Sequence, residues 1–384
     1  MIEAKEITNP SRHIQEDTTR MLWAASAGIC ECRGCTNRLY THHVTKENIN
    51  LAERAHIYAF SKGGKRFSRL ISRDKINDID NLMLACGNCH NLIDSSNTDY
   101  SAEKLLSMKK EHEERIRLLT SIKPDLQSEV VIYGCNIGNR PIRIQDFHAN
   151  ESITPDYYPA RIVPINLSPD LRLYDNEQEF WSIMAKDLER QLEAHEPSIR
   201  DKHISLFAVA PQPLLFKLGT LLNRNYNVSV RQTQGNTESW RWQKAEQSIE
   251  LQLCELGQLD LCDKAAISIE LTARLSDEEI QSTFEGHRIF RIIANDCSPF
   301  AIKSEADLSA VKEEYRNTLN KIRLECSADV QVSLLPLAPA SVSIEAGRQL
   351  MKGDPVITVY DRNYLTKEWV PALSVHEMGD KYDR

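Results

Sequence analysis

The sequence predicts a two-part protein: a small α+β metal-binding unit, then a larger α/β region made of two related halves. Three observations predict it. Five cysteines crowd into two short clusters before residue 90. From residue 128 onward, strand-like apolar runs alternate with helical stretches. And twenty residues recur without a gap 128 positions further on, "HISLFAVAPQPLLFKLGTLL" from His203 falling on "QVSLLPLAPASVSIEAGRQL" from Gln331.

Bulk properties bound the reading. A length of 384 residues suits two or three domains. The chain is 41% hydrophobic and 27% charged, as soluble globular proteins are. No stretch approaches the roughly 18 apolar residues of a membrane span, and the opening "MIEAKEITNPSRH" lacks an apolar signal core. Both observations predict a cytoplasmic protein with no membrane partner. In a reducing compartment the ten cysteines are expected to be thiols or metal ligands rather than disulfides. The net charge of −8 is unevenly spread. Residues 1–123 carry 19 Lys/Arg against 16 Asp/Glu, and the remainder 28 against 39. An acidic body is a poor general nucleic-acid binder, so such a site belongs in the first third.

The first third closes on "SAEKLLSMKKEHEERIRLLTSIKPD". Ser101 can cap a helix, Leu105, Met108, Ile116 and Leu119 form its apolar stripe, and Pro124 stops it. The expected domains are therefore 1–124 and 125–384. Beyond the boundary, "EVVIYGCNIG", "ARIVPINL", "HISLFAVAP", "AAISIELTA" and "VQVSLLPLAP" read as strands of a mostly parallel sheet. The repeat keeps Ala210–Pro211 on Ala338–Pro339 and Gly219 on Gly347, and the helix from Glu177 on the helix from Glu305. That spacing predicts two pseudo-repeats, roughly 150–262 and 263–384. Each half reads strand, Ala-Pro turn, helix, strand. Such turns lie at the carboxyl ends of strands, where open α/β sheets bind ligands and helix N-termini receive anions. The plainer reading of both prolines is that they end a strand and start a helix.

The metal chemistry starts from "NLMLACGNCHNLID", residues 81–94. Cys86 and Cys89 make one CxxC pair, with no thioredoxin-like βαβ context for a redox role. The second pair lies in "GICECRGCTNR", where Cys35 can join Cys32 at one spacing or Cys30 at another. Four sulfurs would make a closed, structural zinc site. His90 is then left for other work.

His56, Asn81 and His90 follow in order, in "AHI", "DNL" and "CGNCHNLID". Over about residues 28–118 this resembles the HNH endonucleases, whose fold is a ββα-metal finger. The resemblance implies that His56 is the general base, that Asn81 braces the loop carrying it, and that His90 ligates a catalytic divalent ion, most simply Mg²⁺. Histidine titrates near neutrality, which suits a base that activates water. Asp94, one helical turn past His90, is expected as a second ligand. Many HNH sequences place an acidic residue or histidine just before the base; here that position is Ala55. Lys62, Lys65, Arg66 and Arg69 read as a clamp on the backbone of double-stranded DNA, cut without marked sequence preference. His42 and His43 lie outside the motif.

The repeat region, about residues 126–384, resembles the SAVED domain, a fusion of two CARF-like, Rossmann-like halves. "APQPLLFKLG", "WRW" at Trp240–Trp242, "ISIELTA" and "APASVSIEAGR" carry that resemblance. It implies a bacterial antiphage (CBASS) effector in which a cyclic di- or trinucleotide binds SAVED, drives a homo-oligomer from dimer to higher states, and activates the nuclease. Expected ligand contacts are Gln212 and Ser341 at the two turns, Thr272 and Arg274 after the central strand, and Arg231, Trp240, Trp242 and Tyr360. Aromatic rings can stack bases and arginines can pair with phosphates. Two other readings stand beside this one: a non-catalytic zinc-finger DNA-binding regulator with a ligand-sensing domain, and a nuclease that recognises modified DNA.

Overall fold

The computed structural model describes residues 13–375 apart from 62, 69–70, 96–99, 139, 170–176, 234–238, 245–247, 258–261 and 364–365. The chain divides into two compact units, Met1–Lys123 and Pro124–Arg384. Among the described residues no helix is long and apolar enough to cross a membrane.

In the first unit, α1 (Glu16–Ala25) precedes β1 (Ala52–His56), which pairs antiparallel with β2 (Leu82–Cys86). Every residue of β2 is buried, and Leu82 to Ala85 meet Leu22, Leu39, Ile57 and Leu105 in one core. β2 runs directly into α2 (Gly87–Ser95), and α3 (Ala102–Ser121) follows. The Ser101 hydroxyl caps α3 by accepting the Lys104 N–H at 3.2 Å. Leu105 and Met108 are buried, but Ile116 is half-buried and Leu119 exposed. The apolar stripe of α3 therefore serves the core only along its first half.

The second unit holds two sheets. The first contains β3 (Gln127–Gly134), β4 (Tyr158–Pro159), β5 (Ile165–Asn166), β6 (His203–Val209) and β7 (Asn227–Arg231), with α4 (Asp146–Ser152), α5 (Glu177–Ile199) and α6 (Gln212–Leu221) between them. Its order is β4-β3-β6-β7, all parallel, with β5 further along the same edge of β3. Of the strand expected over "ARIVPINL", only Ile165–Asn166 forms, directly after Pro164, which has no N–H to offer a ladder; β4 lies just ahead of that stretch. The second sheet contains β8 (Leu251–Leu256), β9 (Lys264–Glu270), β10 (Arg288–Ala294), β11 (Gln331–Leu337), β12 (Ile357–Arg362) and β13 (Trp369–Val375). The helices α7 (Asp277–Thr283), α8 (Glu305–Glu325) and α9 (Ala340–Arg348) connect them. Its order is β13-β12-β11-β9-β10-β8; the inner four strands are parallel and both edges antiparallel. Sheet membership shifts the expected halves: β3 precedes residue 150 yet belongs to the first sheet, and β8 precedes 263 yet belongs to the second.

The two halves meet at α6 and α9. A Cβ on Gly219 would lie 2.0 Å from the Ile344 carbonyl oxygen, and one on Gly347 would lie 2.1 Å from that of Phe216. Phe216 and Ile344 are equivalent in the repeat, as are the two glycines. Each helix thus contacts the other at matching positions, as across a two-fold axis. The cores exchange residues in the same way: Phe216 of α6 packs into the second core and Ile344 of α9 into the first. The outer helices match too, α5 lying on the first core through Trp181, Met184 and Leu188, and α8 on the second through Val311, Tyr315 and Leu319.

Candidate functional site

The first unit brings four cysteines together. The segment after Gly28 folds back on itself, with the Cys30 N–H on the Asn37 carbonyl at 3.0 Å and the Cys35 N–H on that of Cys32 at 2.9 Å. Glu31 then pairs with β2 like a short strand: its N–H donates to the Leu84 carbonyl at 2.9 Å, and its buried carboxylate accepts the Leu84 N–H. Cys30 is thereby held beside Cys86, whose N–H reaches the Cys30 sulfur at 3.3 Å. Gly87 opens α2, so Cys89 stands within a turn of Cys86. The sulfurs of Cys30, Cys35, Cys86 and Cys89 all lie within 4.8 Å of one another. The longer spacing, Cys30 with Cys35, is the one the fold selects.

This donor set fits zinc. A zinc about 2.3 Å from each of four sulfurs needs them roughly 3.8 Å apart, and Cys35 Sγ is 4.0 Å from Cys86 Sγ. Cys32 is buried beside the cluster, and its thiol hydrogen bond pulls Cys30 down to about 4. Burial pushes Cys35 up to about 11 and raises Cys89 as well. A divalent cation relieves that penalty, because ligation requires thiolates.

The far side of the β1–β2 pair carries a polar cleft of about 730 Å³, and His56, Lys65, Arg66, His90 and Asp94 are among its lining residues. His56 ends β1 and pairs with Leu82. Asn81 lies behind the cleft, 2% exposed. Its Oδ1 accepts the Tyr58 N–H at 2.7 Å, and its Nδ2 donates to the carbonyls of Ile76 at 2.8 Å and Tyr58 at 3.2 Å. It therefore ties down both ends of the 57–81 loop, which begins right after His56. On α2, His90 Nε2 is 3.8 Å from Asp94 Oδ2. Among the described residues the four cysteines form the one group of three or more His, Cys, Asp or Glu gathered for a metal. A cation in the cleft would rest on His90 and Asp94 with water completing its shell, the habit of Mg²⁺. Ala55 is buried in the core, so no ligand comes from the position before His56.

The basic residues are placed less uniformly. Lys62 and Arg69 lie outside the described residues. Lys65 Nζ donates to the carbonyls of Asp94 and Ser95, both at 3.2 Å, at the end of α2. Arg66 is not the solvent-facing clamp expected: its side chain is only 12% exposed. Its guanidinium reaches the carbonyls of Ile57 at 2.9 Å, Ile93 at 3.1 Å and His56 at 3.3 Å, and Asp94 Oδ1 at 3.1 Å. It fastens the end of β1 to the end of α2, and so fixes His56 relative to Asp94. Asn77, absent from any motif, places Oδ1 3.0 Å from His56 Nε2.

In the second unit the expected ligand residues separate into groups. Gln212 and Ser341 sit at the two Ala-Pro turns, and Gln212 reaches across to the second turn. Gln212 Nε2 donates to the Ala338 carbonyl at 2.7 Å, and the Ser343 hydroxyl donates to Gln212 Oε1. The Ser341 N–H donates to Gln232 Oε1 at 3.2 Å, while its own hydroxyl, fully buried, has no partner among the described residues. Thr272 is close by, its N–H on the Leu337 carbonyl at 2.9 Å. Arg274 is exposed, with Nη2 3.4 Å from the Ala294 carbonyl. Arg231 and Trp240 lie on the other face of the first sheet. β7 pairs Arg231 with Phe207, whose ring meets Trp240 edge-on at 5.2 Å. Trp240 is a core residue at 5% exposure rather than a stacking platform. Trp242 spends its N–H on the Val230 carbonyl at 3.2 Å, and Tyr360 packs edge-on against Phe284 at 5.0 Å. Burial pulls the Arg231 guanidinium below its usual range, and its Nε has no partner among the described residues. Gln232 escaped the sequence reading because nothing but its place beside the strand end marks it.

Comparison with known proteins finds a family match within the second unit. Residues 188–375 match the family described as the SMODS-associated and fused to various effectors sensor domain, SAVED. Solved structures with a similar chain course include the Acinetobacter baumannii Cap4 SAVED/CARF-domain containing receptor with the cyclic trinucleotide 2'3'3'-cAAA, at 12% identity and a TM-score of 0.41 over 71% of this chain and 55% of that one. The same receptor with 3'3'3'-cAAA matches at 12% identity and a TM-score of 0.42 over 71% of this chain and 59% of that one. The Moraxella osloensis Cap4 receptor matches at 13% identity and a TM-score of 0.37 over 75% and 63%. This chain thus spans less than two thirds of those chains. No curated protein matches its sequence.

Proposed function

We propose that this chain, whose second unit carries a SAVED sensor region, is a DNA endonuclease switched on by a cyclic oligonucleotide in an antiphage system. The observation that carries the nuclease half is the cleft where His56 faces His90 and Asp94. Their spacing is held by Asn81 behind the loop and by Arg66 between strand and helix. Cys30, Cys35, Cys86 and Cys89 would hold a structural zinc that keeps α2 against β2.

In this reading His56 accepts a proton from water as the water oxygen attacks a backbone phosphorus. The new P–O bond replaces the bond to one sugar oxygen, which leaves and takes a proton from solvent. A divalent cation at His90 and Asp94 would stabilise the charge gathering on the phosphate. Lys65, at the rim, would favour the approach of the DNA backbone. The sensor half rests on the family match, whose description is that of a sensor domain. It rests also on the two Ala-Pro turns, which Gln212 links through the Ala338 carbonyl and the Ser343 hydroxyl, with the buried Ser341 hydroxyl having no partner among the described residues.

The test is cleavage of supercoiled plasmid with Mg²⁺ and a panel of cyclic di- and trinucleotides, comparing wild type with His56→Ala. The substitution is expected to lower the ligand-stimulated rate at least about 100-fold. Ala55 favours a second reading, a zinc-bearing DNA-binding module without catalysis. It predicts a gel shift with DNA and no cleavage with any ligand.

A further inference from the structure

His56 is held from one side by Asn77, a residue outside the motif. Asn77 Oδ1 lies 3.0 Å from His56 Nε2, and Asn77 Nδ2 donates to the His13 carbonyl oxygen at 3.3 Å. A carbonyl oxygen only accepts, so the His13 contact settles which end of the Asn77 amide is the NH₂. The atom facing His56 is then the amide oxygen, which also only accepts. Nε2 must therefore carry a proton. A neutral imidazole has one N–H, so its lone pair sits on Nδ1. Among the described residues no hydrogen bond engages Nδ1, and the ring is flanked edge-on by Phe60 at 5.8 Å.

We infer that Asn77 is a positioning residue for His56: it fixes the Nε2–H tautomer and leaves Nδ1 as the nitrogen that takes the proton from water. The tautomer stands on the two Asn77 contacts alone; the proton transfer rests on the nuclease reading. The charged groups sharing the cleft with His56 are Glu53 and Arg54 from its own strand, Lys65 and Arg66 from the returning loop, and His90 and Asp94 from α2. Of these, Arg66 hydrogen-bonds backbone carbonyls and Asp94, Lys65 the end of α2, and Arg54 the Thr19 hydroxyl. Among the described residues Asn77 is the side chain hydrogen-bonded to the His56 ring.

The experiment uses the full chain with ¹⁵N-labelled histidine. Long-range ¹H–¹⁵N correlation reads the tautomer, and His56→Ala identifies the signal. Wild type and Asn77→Asp, which keeps the acceptor, are expected to show Nε2–H; Asn77→Ala is expected to show a mixture. In the plasmid assay with the cyclic di- and trinucleotide panel, Asn77→Ala should lower kcat about 10- to 100-fold, the scale of losing an orienting partner. KM for DNA should stay within about twofold, because binding is not what the contact serves. Asn77→Asp should recover most of the rate. A wild-type ring protonated on Nδ1 overturns the inference, as does an Asn77→Ala protein with unchanged tautomer and kcat. Should Asn77→Ala fail to fold by circular dichroism, the wild-type tautomer and the Asn77→Asp rate decide. A wild type that cuts no DNA sinks the nuclease reading, while the spectrum still decides what Asn77 does to His56.

Discussion

Single residues in the first unit divide between those gathered as a metal-ligand set and those that hold other residues in place. Cys30 and Cys32 sit two positions apart, yet only Cys30 joins the sulfurs of Cys35, Cys86 and Cys89. The account therefore predicts about one zinc per chain by elemental analysis. Cys30→Ser should lose most of that metal and much thermal stability, whereas Cys32→Ser should keep the metal. Equal zinc content in the two variants would count against the assignment. Arg66 shows why residue type alone misleads. In the sequence it is one of a basic run; in the fold its fork meets three backbone carbonyls and a carboxylate. Such a half-buried guanidinium, making four hydrogen bonds, stabilises a particular arrangement of strand and helix. The cysteine cluster was legible because metal ligation demands a fixed spacing. Asn77 and Gln232 were not, because a polar residue in a loop looks the same whether it meets water or a neighbour's ring.

At the scale of elements, the repeat was legible because two glycines and two Ala-Pro steps kept their spacing. The fold gives the physical reason: α6 and α9 touch backbone to backbone at Gly219 and Gly347. Gly347→Ala is expected to destabilise the second unit by about 1–3 kcal/mol, the usual cost of overpacking, with Gly219→Ala close to it. Denaturant unfolding of both variants measures this, and a change under about 0.5 kcal/mol would contradict the crossing. β10, "RIFRIIA", was missed because its arginines interrupt an apolar run. Both are buried: Arg288 pairs with Glu255 and Glu325, and Arg291 is bidentate to Glu270 at 2.7 Å. Another polar seam runs along the first sheet. His203 is hydrogen-bonded to Ser128 and Ser229, both at 2.9 Å, and stacks on Tyr157 at 3.9 Å. Burial, aided by repulsion from Arg231, holds His203 down to about 4 from its ordinary 6.5. The unfolded chain takes up that proton near 6.5 and the folded one only near 4, so the contribution is complete above about 6.5 and is lost as pH falls. The melting temperature should therefore drop between pH 7 and 5, and His203→Gln should flatten that slope. A slope the same in both proteins would place the acid sensitivity elsewhere.

At the scale of the molecule, a first unit with a histidine-lined cleft and a four-cysteine cluster is joined to a second that matches a sensor family over residues 188–375. The charge division fits that arrangement, since the excess of acidic residues falls after residue 123. The α/β class followed from the alternation of strands and helices and the two halves from the repeat, while their division into two sheets is seen only in the fold. The ligand face did not follow from the sequence, because which side of a sheet a residue takes depends on register. Arg231 and Gln232 are adjacent in sequence, yet Arg231 faces the side of Trp240 and Gln232 reaches Ser341. Trp240 therefore lies across the first sheet from Gln232 and the second Ala-Pro turn. The most direct test of the central claim is plasmid cleavage by the full chain with Mg²⁺, run with and without each member of a cyclic di- and trinucleotide panel, in wild type and His56→Ala. The account predicts that one ligand switches on cleavage by wild type and leaves His56→Ala inactive. Cleavage that ignores every ligand, or that survives in His56→Ala, would contradict it.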